Sequence, residues 1–120
     1  MNNDKRLSNI IEALSKHDDS EAIGVLEEIG TNCSDDEVRR LTSKALINRN
    51  SNDSLSVVIT KPGKGINDLN TNVAMSSINE LLALKDKAEA IKILTDTEEN
   101  NENESVKETA RSVKALMDFC

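Results

Sequence analysis

The sequence predicts an all-α fold, a single domain over residues 1–120 built of about three and a half helical hairpins. Three observations point there. Similar segments recur at one fixed spacing, and apolar residues fall at helical intervals in nearly every segment. One proline and four glycines in 120 residues leave room for long helices.

The recurrence comes first. SEAIGVLEEI at 20–29 matches AEAIKILTDT at 88–97, with Glu21-Ala22-Ile23 on Glu89-Ala90-Ile91. EVRRLTSKALI matches SVKETARSVKALM, with Val38 on Val106, Thr42 on Ala110 and Ala45 on Val113. Both pairs are 68 residues apart, twice 34, so a middle copy is expected between them. VAMSSINELLAL supplies its second half, with Ala74 set against Val38 at an offset of 36, which leaves 32 to the third copy. At that shift Val58 and Ile59 occupy the places of Ala22 and Ile23.

In order along the chain, RLSNIIEAL (Leu7, Ile10, Ile11, Leu14) reads as a second helix without its first. Copy one has a first helix on Ala22, Ile23, Leu26 and Ile29, ended by Gly30. Its second helix lies on Val38, Leu41, Thr42, Ala45 and Leu46, capped by Ser34, Asp35 or Asp36. NRNSNDS at 48–53 reads as a polar connection. LSVVITK at 55–61 reads as a short helix with Ser54 as its candidate cap, or as an extended segment at the same place; Pro62 ends it either way, with Lys61 and Lys64 exposed. The second helix of copy two carries Ala74, Ile78, Leu81 and Leu82. Copy three repeats the pattern, with an acidic loop TEENNENES at 97–105 and a last helix on Val106, Ala110, Val113 and Leu116 or Met117.

KPGKGIN after the β-branched run suggests a phosphate loop, but the spacing is wrong. A P-loop needs GxxxxGK followed by Ser or Thr, and the dinucleotide GxGxxG fails at Asp68. His17, with Glu21 four residues on, is half a metal site at best and reads as a helix-end residue. The pairs Asp18-Asp19 and Asp35-Asp36 sit where helices need caps, so acid–base catalysis is the weaker reading. Arg39 is expected to be tied to Asp35 or Asp36. Cys33 lies near a helix start, where a thiolate is stabilised. With only Cys33 and Cys120 and no CxxC, two free thiols in a reducing, cytoplasmic location are expected, with no metal and no cofactor. The N-terminus has no apolar signal core, so the Asn-x-Ser matches at 32, 52 and 103 read as chance. A net charge of −7, no basic run and Phe119 as the sole aromatic argue against nucleic acid and against an anionic membrane surface.

DSEAIGVLEEIGTNCSDDEVRRLTSKAL resembles the short HEAT-like repeat of bilin-lyase-type proteins, whose pattern is D-x-x-A-I-x-x-L-x-x-L, a short acidic gap, then V-R-x-x-A-x-x-A-L. Copy one departs at Thr42, copy three has Lys107 for the Arg, and copy two has no Arg after its Val73 or Ala74. The resemblance implies a short right-handed α-solenoid whose second helices line the concave side. The helical positions opposite the core stripe are then Asn9, Glu12, Arg40, Lys44, Ser76, Asn79, Glu80, Glu108 and Arg111. The expected function is a non-enzymatic scaffold or adaptor that binds another protein there. The alternatives are an acidic inhibitor or immunity-type protein capping a basic enzyme, and a chromophore lyase or chaperone-like relative. The unpaired first helix and Phe119 leave homo-oligomerisation as a further expectation.

Overall fold

The computed structural model describes residues 2–16, 20–33 and 35–119. His17, the Asp18-Asp19 pair, Ser34, Cys120 and the side chain of Leu7 lie outside the described residues. Among those described there are seven α-helices, one short 3-10 turn and no strand. The all-α prediction holds, and VVIT is helical.

Three helices share one opening. Helix α3 (Asp36–Arg49) is capped by Asp35, whose side chain accepts from the Glu37 amide at 2.9 Å. Helix α5 (Thr71–Leu82) is capped by Asn70, which accepts from the amides of Asn72 and Val73. At the start of α7 (Glu104–Phe119), Asn103 accepts from the Val106 amide at 3.1 Å. An Asp or Asn oxygen placed this way satisfies an amide that the helix itself leaves unpaired. Three residues after each cap stands a fully buried valine: Val38, Val73 and Val106.

The caps at 35, 70 and 103 are 35 and 33 residues apart, so the expected 36 and 32 are corrected by one residue. The middle second helix buries Val73, Ser77 and Leu81, whereas Ala74, Ile78 and Leu82 are only half-buried.

The first helices of the copies are α2 (Ser20–Asn32), α4 (Asn52–Thr60) and α6 (Ala88–Asn100). Two residues into each lies a buried small residue, Ala22, Ser54 or Ala90, and four further on a buried Leu26, Val58 or Leu94. Val58 therefore stands where Leu26 does, one helical turn from the place expected for it. Val58 and Ile59 are buried as expected. The cap of α4 is Ser51, in a reciprocal pair with Ser54, so Ser54 is the third helical residue and not the cap.

Residues 61–70 form the element that most distinguishes the middle copy. Pro62 cannot continue the α4 hydrogen-bond ladder. The chain turns at Gly63 (φ 76°) and Gly65 (φ 52°) and makes a 3-10 turn over Gly65–Asn67. Gly65 is needed twice over. Its φ is left-handed, and a Cβ there would stand 2.5 Å from the Val58 side chain and carbonyl. The Asn67 amide group donates to the Ile59 carbonyl at 2.8 Å, closing the end of α4, and Ile66 is buried beneath.

Several connections are shorter than expected. Helix α3 runs to Arg49 and α4 begins at Asn52, so 48–53 contributes only two residues outside helices. Asn50 makes that turn at φ 52°, a conformation Asn tolerates better than most residues. The acidic loop over 97–105 shrinks to 101–103, because Glu98, Glu99 and Asn100 extend α6 and Thr97 is buried. Gly30 lies inside α2 rather than ending it. It lets α2 approach α3, since a Cβ at Gly30 would meet Thr42 Oγ1 at 2.7 Å. That contact explains how α3 holds a buried Thr42 where α7 has the buried Ala110 at the matching position.

Helix α1 (Asn2–Ser15) packs on α3, and α3 packs on α5. Helix α2 packs on α3, α4 on α6, and α6 on α7. Helices α4 and α5 each pack on the 3-10 turn that joins them. One apolar core runs through the molecule from Ile11 to Met117, within extents of 41 × 27 × 25 Å. At the last helix Met117 is buried and Leu116 is exposed.

Candidate partner-binding face

The exposed positions of α3 and α5 follow from their caps. Five residues past the cap stand Arg40 and Met75, and nine past it Lys44 and Asn79; Glu108 and Ser112 hold those places on α7. Lys44, Met75, Asn79, Glu108 and Ser112 are exposed, and Arg40 is half-buried. On α1, Asn9 and Glu12 are exposed, while on α5 Ser76 and Glu80 are half-buried.

Part of the expected set converges. Arg40 forms a fork with Glu37, at 3.0 Å and 2.5 Å. Hydrogen bonding to Arg40 holds the Glu37 carboxyl below its ordinary range, and the same bond raises Arg40, with Glu80 adding to the effect. Asn48 donates to Glu80 at 3.2 Å, joining α3 to α5. Between α1 and α3 runs an open groove of about 460 Å³ with an apolar floor of Ile11, Leu41 and Ala45. Glu12, Glu37, Lys44 and Asn48 line its walls.

Arg111 sits apart from this convergence. It bonds Glu108 at 2.7 Å and Glu98 of α6 at 3.3 Å, and Lys114 also reaches Glu98 at 3.6 Å. Its counterpart 68 residues earlier, Ser43, is buried. Four residues of the face were missed from the sequence: Glu37, Asn48, Met75 and Ser112. The cap spacing was the available signal, because it fixes which residue of α5 stands level with Arg40.

A second polar cluster is structural. Arg39 donates to both oxygens of Asp68, at 3.2 Å and 2.8 Å. The Asp68 side chain is only 4% exposed and also accepts from the Asn70 amide at 2.8 Å. The bond to Asp68 raises the Arg39 pKa. The expected link to Asp36 exists at 3.6 Å but is secondary. The bridge 61–70 is thereby fixed to α3, and Asn70 reinforces it through Asp36 at 2.6 Å. Lys61 pairs with Glu27 at 2.6 Å and Lys64 bonds Thr31, so both lysines tie the bridge to α2. Lys61 is exposed as expected. Lys64 is half-buried, because the bridge folds back on α2.

Cys33 is half-buried and packs against the core. Among the described residues no group of three His, Cys, Asp or Glu is placed to hold a metal ion, and no helix is long and apolar enough to cross a membrane. Compared with protein-family models, curated proteins and solved structures, the chain matches none.

Proposed function

We propose that the chain is a short HEAT-like α-solenoid, a non-catalytic scaffold that binds another protein on the face formed by its second helices. The observation that carries this reading is the threefold opening of α3, α5 and α7, each an Asp or Asn cap followed three residues later by a buried valine. Equivalent helices laid side by side present equivalent positions to one side, which is how repeat proteins make extended binding surfaces. The face combines an apolar groove floor with paired and unpaired charges at its walls, a composition suited to a polar protein contact. A reducing, cytoplasmic setting fits a chain with two thiols and no CxxC.

Site-specific photo-cross-linking in an extract of the native cells tests the reading. A photoreactive side chain at position 44 or 79 should yield adducts with a partner, whereas one at Lys92, on the exposed side of α6, should not. Adducts confined to position 92, or none from any position, would contradict it.

A further inference from the structure

Among the described residues five with polar side chains are buried: Thr42, Ser43, Ser54, Ser77 and Thr97. Four of them are satisfied. Thr42 donates to the Arg39 carbonyl, Ser77 to the Val73 carbonyl and Thr97 to the Ile93 carbonyl, while Ser54 bonds Ser51. A serine inside a helix ordinarily returns its hydroxyl to the carbonyl one turn back, as Ser77 does. For Ser43 that carbonyl belongs to Arg39, which already accepts from Thr42. Ser43 is only 6% exposed, and its hydroxyl bonds no described residue.

A second orphan lies nearby. The amide that would close the helical bond to the Val58 carbonyl belongs to Pro62, which has no N–H. The next two carbonyls, of Ile59 and Thr60, are taken by Asn67 and Asn101, but no described residue donates to that of Val58, which is fully buried. Ser43 and Val58 both line one pocket of about 20 Å³ beneath the bridge, with Gly30, Thr42 and Gly65 around it. A single water needs at least about 10–15 Å³ and two or more polar partners. We propose that this pocket holds one ordered water, which donates to the Val58 carbonyl and accepts from the Ser43 hydroxyl. The water takes the part of the N–H that Pro62 lacks and ties α3 to α4 under the bridge. It satisfies two buried groups that folded proteins rarely leave unpaired. The inference is independent of the partner-binding face.

A high-resolution crystal structure of the full chain tests it. A water should stand within about 3.2 Å of both the Ser43 hydroxyl and the Val58 carbonyl. Oxygen-17 magnetic relaxation dispersion of the solvent, which counts waters held inside a protein, reads the same site in solution. Ser43→Val fills the space with methyl groups, and Ser43→Ala removes one of the two ties. Each should lower the count of long-lived waters by about one relative to the wild type, with circular dichroism confirming the fold. If Ser43→Val does not fold, Ser43→Ala alone decides. A dry pocket, a protein N–H on the Val58 carbonyl, or a count unchanged in a folded variant would overturn the proposal.

Discussion

In the first and third hairpins a thirteen-residue helix is joined to a helix of fourteen or sixteen residues by three residues, 33–35 or 101–103. In the middle hairpin a nine-residue helix is followed by a ten-residue bridge, 61–70, and a twelve-residue helix. Yet Leu26, Val58 and Leu94 are buried alike, as are Val38, Val73 and Val106. Length within a copy is therefore exchangeable between helix and bridge, while the start of each helix and its first buried residues are kept. Burial of the helix start depends on the neighbouring copies. The end of α4 is free to be replaced, provided other groups satisfy its last carbonyls. Asn67 does so from the bridge and Asn101 from the third copy, the latter through the Thr60 carbonyl at 3.3 Å.

If the short helix is as integral to the core as its longer counterparts, Ile59→Ala should destabilise by about 2–4 kcal/mol in urea denaturation, as for a buried aliphatic residue. Leu94→Ala should fall in the same range. A loss below about 1 kcal/mol at Ile59 alone would show that α4 is a peripheral appendage.

The all-α make-up was legible because the helical periods and the 68-residue recurrence need no knowledge of the fold. The internal register of the middle copy was not, for a physical reason. Leu55, Val57, Val58 and Ile59 are all buried, since α4 lies among α2, α3 and α6. A helix that is apolar on several sides has no stripe to fix its phase. Two placements one turn apart then satisfy the pattern equally, and the chosen one was wrong by that turn. The better guide was polar: Asp35, Asn70 and Asn103 mark the helix starts, but only Asp35 stands out as a candidate cap, while Asn70 and Asn103 are lost among neighbouring Asn, Asp and Glu residues. The connections were overestimated for the same reason, since Asn and Glu at 98–100 are compatible with a final helical turn. The Arg39–Asp68 pair was hidden by distance, 29 residues in sequence, whereas Asp35 and Asp36 were near at hand. At the candidate face Arg40, Lys44 and Glu80 were legible, whereas Glu37 and Met75 were not. The place of Met75 depended on the one-residue register correction.

The bridge offers a sharper contrast between its own two left-handed glycines. Gly65→Ala should cost about 2–3 kcal/mol, combining backbone strain with a clash against Val58. Gly63→Ala should cost about 1 kcal/mol, because nothing lies within 4 Å of its added Cβ. Equal effects would mean that the bridge does not press on α4.

Smallest of all should be Lys64→Ala, within about 0.5 kcal/mol, as for a surface contact with a hydroxyl. A larger loss would assign the joining of bridge to α2 to this lysine rather than to Asp68 and Gly65.

The central claim is that the middle copy is a true repeat with a shortened first helix. Backbone ¹³C chemical shifts across residues 52–82 test it most directly. The account predicts helical shifts over 52–60, a break with non-helical values at 61–64, and helical shifts again from 71 to 82. Extended shifts over 57–60, or helical shifts running unbroken through 61–70, would contradict it.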